Sequence, residues 1–167
     1  NSTPLWSYDV GNDVKSVAIS ADGEYITAGS KNKWNRPGKI YLFDKDNSTP
    51  LWSYDVGSDV RSVAISADGE YITAGLLNGK VYLFDKDSST PLWNYTTDHV
   101  RSVAISADGE YIVAGTEGWS MSFLSSNQPP TAHIDSIVPS LAQFVNEEVT
   151  FNGTGSDNDG TVVAYRW

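Results

Sequence analysis

The sequence predicts an all-β fold assembled from repeated four-stranded sheets, and three observations carry that prediction. An eleven-residue phrase, SVAISADGEYI, occurs three times without change, at 16–26, 62–72 and 102–112. A longer unit around it opens with STPLW at Ser2, Ser48 and Ser89, so the spacings are 46 and then 41 residues. A fixed period of this size marks a repeat architecture. Short apolar runs separated by Asp-Gly and Asn-Gly pairs are hairpin signals, because glycine accepts the positive φ of a tight turn. No helical periodicity interrupts the first 125 residues.

The second copy shows the elements most clearly. Residues Val60 to Ser66 read as a first strand, and Ala67-Asp68-Gly69-Glu70 as its turn. Tyr71 to Gly75 form a second strand, Asn78-Gly79 a tight turn, and Lys80 to Asp85 a third strand. A polar turn over Lys86 to Thr90 leads to a fourth strand, Pro91 to Tyr95. Proline at its start suits an edge, where a missing N–H costs nothing. Four short antiparallel strands per unit of this length is the arithmetic of a β-propeller blade. Apolar residues on both faces, such as Val63, Ala64 and Ile65, need neighbours on both sides, which radially stacked blades supply and a sandwich does not.

The copies differ in informative ways. The first carries a five-residue insertion between its second and third strands, Ser30 to Lys39 against Leu76 to Lys80. The third has a weak third strand, Trp119 to Phe123, in which Trp119, Met121 and Phe123 keep one apolar face; no fourth strand follows it. An extra PLWSYDV at Pro4 to Val10 stands as an unpaired fourth strand suited to completing the last blade. Blades fall at about 2–47, 48–88 and 89–125. Three blades are too few for a closed ring, which usually takes about four to eight. Either the chain is a piece of a larger propeller, or two chains pair as a homodimer to make a six-blade ring. Asn1 opens with neither an initiator Met nor a signal peptide, and both ends are expected to be cuts in a longer protein.

Composition narrows the function classes. Net charge is −10, which disfavours nucleic acid and anionic lipid as partners. There is no cysteine, so no disulfide and no thiolate metal site. No apolar run reaches the roughly 18 residues that a membrane span needs. A nucleotide loop, a nucleophile elbow and zinc-ligand spacing are all absent. Asp98, His99 and Ser102 lie too close together at a strand start to be read as a catalytic triad. The chain is therefore expected not to be an enzyme.

The phrase VRSVAISADGEYI closely resembles the first half of a WD40 repeat, and LWSYDVG resembles the quinoprotein-like propeller repeat. The resemblance covers Asn1 to about Ser125. LFD stands where the usual Trp-Asp dipeptide falls, the Gly-His pair is missing, and His99 takes the place of Asp13 and Asp59 in the other copies. A Pro-containing linker at 126–130 follows, then a segment, 131–167, that resembles the start of a polycystic-kidney-disease (PKD) module, a sandwich of immunoglobulin type. The matching pieces are Pro130-Thr131-Ala132, Val149-Thr150-Phe151, Gly155-Ser156-Asp157, Asp159-Gly160 and Tyr165-Arg166-Trp167. Modules of that family continue with further strands, so this partial domain is expected to be poorly ordered or docked on a neighbour.

These resemblances imply a non-enzymatic binding or scaffold protein at the cell surface or outside the cell, archaeal or bacterial, with a protein or a surface glycan as partner. A carbohydrate-binding propeller with Trp34 as stacking platform, and a part of a quinoprotein-like dehydrogenase, are the alternatives. In four-stranded blades the second-to-third and fourth-to-first loops share one rim. That rim carries Lys31, Lys33, Trp34, Asn35 and Arg36 of the insertion beside Asp13, Asp59 and His99. A tryptophan flanked by cations has the composition of an interaction hot spot, and a tolerated loop extension is the plainer reading. Asp157, Asn158 and Asp159 offer hard oxygen ligands for calcium, the one cofactor considered, or form a strand-connecting turn. Sequons place candidate glycosylation at Asn47, Asn94 and Asn152, with a further triplet at Asn1.

Overall fold

The structure, a computed structural model, describes residues 3–33, 36–118, 120–127, 131–136 and 152–156. Every regular element among them is a strand. The chain divides into two units, Asn1–Ser126 and Asn127–Trp167.

The first unit holds three antiparallel meanders. Blade 1 comprises β1 (Val14–Ile19), β2 (Tyr25–Ser30), β3 (Lys39–Asp44) and β4 (Trp52–Asp55). Blade 2 comprises β5 (Val60–Ile65), β6 (Tyr71–Leu76), β7 (Lys80–Asp85) and β8 (Pro91–Thr96). Blade 3 has β9 (Val100–Ile105), β10 (Tyr111–Thr116) and β11 (Met121–Ser125). In each sheet the strands lie in chain order, so blades 1 and 2 draw their outer strands, β4 and β8, from the start of the next sequence copy. Pro91 starts β8, the outer strand of blade 2, as its missing N–H requires. In the second unit β12 (Thr131–Ser136) pairs antiparallel with β13 (Asn152–Ser156). The rest of the expected PKD-like segment lies outside the described residues.

The repeated phrase owes its form to one turn, built identically three times. In blade 2 the Ser66 hydroxyl donates to Asp68 Oδ1 at 2.6 Å and accepts the Tyr71 N–H at 3.0 Å. Asp68 Oδ1 also accepts the Glu70 N–H at 3.0 Å. Gly69 takes φ +78°, which a side chain would resist. Serine, aspartate, glycine and a following N–H thus satisfy one another within six residues. The hydrogen bonds hold all three aspartates, Asp22, Asp68 and Asp108, below the ordinary carboxylate range, the serine hydroxyl being the largest cause each time.

The sheets stack face to face, and the core lies between them. Ile40 and Leu42 of blade 1 pack with Val60, Val63 and Ile72 of blade 2. Val81 and Leu83 of blade 2 pack with Val100, Val103 and Ile112 of blade 3. Burying one such side chain fully contributes about 1.5–3 kcal/mol. The close approach depends on glycine: a Cβ on Gly29 would collide with Val60, and one on Gly75 with Val100. Outer strands reach across to the following blade. Trp52 of β4 packs on Phe84 of β7 at 5.3 Å and donates its indole N–H to Lys86 O at 2.7 Å. The row of sheets is not closed: β1 contacts β5 and β5 contacts β9, while both end faces remain open.

One local expectation is corrected. The third strand of the third copy was expected over Trp119 to Phe123, but β11 runs Met121–Ser125. Thr116 closes the hairpin instead, its N–H and hydroxyl both donating to Ser120 O at 3.1 and 3.0 Å, and the strand starts at Met121. The apolar face there is also open, with Met121 70% and Phe123 63% exposed. Pro4 to Val10, expected as an unpaired fourth strand, belongs to no sheet among the described residues. Its aromatic side chains hold it on blade 1, Trp6 against Phe43 at 5.5 Å and Tyr8 against Phe43 at 5.3 Å.

Candidate functional site

One end of the first unit gathers the loops that the sequence marked. In every blade the same backbone bond ties the second-to-third loop to the connector entering that blade. Lys31 N–H donates to Asp13 O, Leu77 N–H to Asp59 O and Glu117 N–H to His99 O, each at 2.9 Å. Asp13, Asp59 and His99 therefore occupy one position in three blades, and the insertion lies on their rim.

In blade 2 that loop is a minimal Asn78-Gly79 turn. In blade 1 the longer loop folds back on itself, Lys33 and Arg36 exchanging backbone hydrogen bonds at 3.1 and 2.9 Å. Its two sides are anchored to different connectors. The Asn32 N–H donates to Asp59 Oδ1 at 2.9 Å and its side-chain amide to Gly57 O at 3.1 Å. On the other side Arg36 Nη1 donates to Gly11 O at 3.3 Å and the Asn12 amide to Pro37 O at 3.4 Å. Asp59 is thus a structural acceptor that fixes the loop across the boundary between blades 1 and 2.

The anchored loop carries cations. Lys33 Nζ lies 3.6 Å from Asp13 Oδ1, and Lys15 Nζ 3.9 Å from Asp13 Oδ2. One carboxylate faces two ammonium groups, and Lys33 and Arg36 are exposed. At the base of the loop Lys39 pairs with Asp55 at 2.8 Å, and this hydrogen bond raises the Lys39 pKa above the ordinary value. Such exposed pairs contribute little to stability, so the cations remain available to a partner.

Blade 3 places a carboxylate, Glu117, at the loop position that Lys31 holds in blade 1. His99 Nδ1 lies 3.6 Å from Glu117 Oε2, and Arg101 Nε 2.8 Å from Glu117 Oε1. Asn78, Thr97, Asp98, His99, Glu117 and Gly118 line an open cleft of about 460 Å³. Sequence reasoning singled out His99 here and missed Glu117 and Asn78. The alignment of the copies held the signal, since Glu117 occupies the position of Lys31 and Leu77.

The structure therefore brings Lys31, Lys33, Arg36, Asp13 and Asp59 together and places His99 apart, two blades away on the same rim. Trp34 and Asn35 lie outside the described residues, as do the calcium candidates Asp157, Asn158 and Asp159 and the sequon residue Asn1. Asn47 is exposed in the turn before β4, where its side-chain oxygen accepts the Thr49 N–H at 2.9 Å. Asn94 is exposed within β8, opposite Tyr82. Asn152 begins β13. Among the described residues no helix is long and apolar enough to cross a membrane.

The family model for the WD domain, G-beta repeat (WD40) matches three stretches, residues 2–36, 48–85 and 89–123. Comparison with curated proteins gives no match.

Proposed function

Because the chain belongs to the WD40 family (WD domain, G-beta repeat), whose repeats form protein-interaction scaffolds, we propose that its loop rim binds an acidic surface of a protein partner. The observation that carries this is the blade 1 insertion. It is anchored at Gly11, Gly57 and Asp59, yet it leaves Lys33 and Arg36 exposed in a chain of net charge −10. A loop fixed before binding loses little entropy on binding. Clustered cations select an acidic face and speed the encounter.

The role is non-enzymatic and belongs at the cell surface or outside the cell. That placement rests on the PKD-like pieces between Pro130 and Trp167, on the antiparallel pair β12–β13, and on the exposed sequon residues Asn47 and Asn94. A propeller joined to a second module sets spacing and raises effective concentration at a surface.

Affinity capture from cell-envelope extracts tests the reading. Wild type is compared with Lys31→Glu/Lys33→Glu/Arg36→Glu and with a control, Asp46→Lys/Asp87→Lys, on the turns after β3 and β7. The expected result is one captured protein, lost with the insertion variant and retained with the control. Capture that survives the insertion variant overturns the assignment.

A further inference from the structure

The two internal blade junctions are one interface made twice, and the two open faces of the first unit are its unmatched halves. At the first junction Val60 packs where a Cβ on Gly29 would be, Val63 N–H donates to Ser16 Oγ at 3.0 Å, and Ala21 N–H donates to Ala67 O at 2.9 Å. At the second, Val100 packs on Gly75, Val103 N–H donates to Ser62 Oγ at 3.1 Å, and Ala67 N–H donates to Ala107 O at 2.9 Å. Tyr25 and Tyr71 close these junctions over Gly69 and Gly109.

The same parts recur unpartnered at the ends. On blade 3, nothing among the described residues comes nearer to the Cβ direction of Gly115 than Ser102 O at 4.0 Å, and Tyr111 is 44% exposed. On blade 1, Val14 and Val17 are 48% and 65% exposed, although their equivalents Val60 and Val63 are buried. Blade 3 offers the socket and blade 1 the knob.

The outer strands match as well. Trp6, Trp52 and Trp93 donate their indole N–H to Lys45 O, Lys86 O and Ser126 O respectively. Residues 4–10 therefore lie on blade 1 as β4 lies on blade 2 and β8 on blade 3. But β4 and β8 are also fourth strands of the preceding blade, whereas residues 4–10 have no such sheet and blade 3 has no fourth strand among the described residues.

We propose that two copies of this chain associate head to tail, blade 1 of each docking on blade 3 of the other. Residues 4–10 of one copy then become the outer strand beside β11 of its partner. The register follows from Leu83↔Trp93 and Val81↔Tyr95 in blade 2, which places Trp6 opposite Phe123 and Tyr8 opposite Met121. Both junctions are heterologous, and a heterologous interface stops growing only by closing. Two copies bring six blades, within the range of about four to eight in which propellers close; three copies exceed it.

Sedimentation of the full chain should give twice the 18.2 kDa of one chain. Gly115→Val fills the open socket without touching an internal junction, and Val17→Asp puts a charge on the knob; each should give a folded single-chain species with an unchanged circular dichroism spectrum. The chain has no cysteine, so Val14→Cys mixed with Gly115→Cys should form a disulfide-linked pair, while neither variant alone should. A single-chain mass for wild type at 100 μM overturns the proposal, leaving the faces to further blades of a longer chain. So does a pair indifferent to both variants, or a disulfide formed by Val14→Cys alone, which would mean head-to-head contact.

Discussion

Blade 2 and its two neighbours contain the same eleven residues and bury them differently. Val63 in blade 2 is 5% exposed, whereas Val17, its counterpart in blade 1, is 65% exposed. On the opposite face Leu83 of blade 2 is fully buried, while Phe123 at the same position in blade 3 is 63% exposed. Identical or similar side chains thus belong to the core or to the surface according to which blade stands beside them. In a repeat architecture stability resides in the junctions as much as in the units, and an end unit carries an unfulfilled half of that energy.

The sharpest way to break this comparison is to truncate both members of the Leu83/Phe123 pair. Leu83→Ala should cost about 2–5 kcal/mol, because the cavity opens in the core between blades 2 and 3. Phe123→Ala should cost under about 1 kcal/mol, since it loses mainly its stacking on Tyr111. Urea unfolding in solutions dilute enough to keep chains apart measures both. Equal losses would mean that blade 3 has a covered outer face.

A second pair sharpens the point on the other face. Val63→Thr places a hydroxyl in the junction between blades 1 and 2 and should cost about 1–3 kcal/mol. Val17→Thr, on the open face of blade 1, should stay within about 0.5 kcal/mol in the same dilute conditions. At high concentration, if chains pair, Val17→Thr should become costly as well.

These contrasts also define what was legible in the sequence. The strands of blade 2 were, because Asp68-Gly69 and Asn78-Gly79 fix the turns and Pro91 marks the edge. The shared rim of Asp13, Asp59 and His99 followed from the loop topology alone. The difference between Val17 and Val63 was not legible, since an identical phrase cannot report its neighbour. Nor was the role of Asp59 as the acceptor that holds Asn32, which depends on how an insertion in one blade leans over the next connector. Glu117 was missed because its meaning comes from His99 and Arg101, which belong to another loop and strand.

The smallest expected effect probes the turn that all three blades share. Ser66→Ala removes the donor to Asp68 and the acceptor of the Tyr71 N–H, in a turn where Ser66 is fully buried; the loss should be about 1 kcal/mol. Ser106→Ala, at an exposed turn of blade 3, should cost less, because water replaces the lost partner. Acid adds a second readout. An aspartate whose folded pKa is lowered stabilises the fold at every pH above its unfolded value of about 3.9. That contribution is lost as pH falls through the lowered folded value. With Asp22, Asp68 and Asp108 all lowered, stability should hold steady from about pH 7 to pH 5 and fall once the pH drops below about 4. Ser66→Ala removes the largest cause of the lowering at Asp68, so its acid limb should be shallower than that of wild type. Parallel acid limbs in the two proteins would show that the Ser66 hydroxyl does not hold the Asp68 charge.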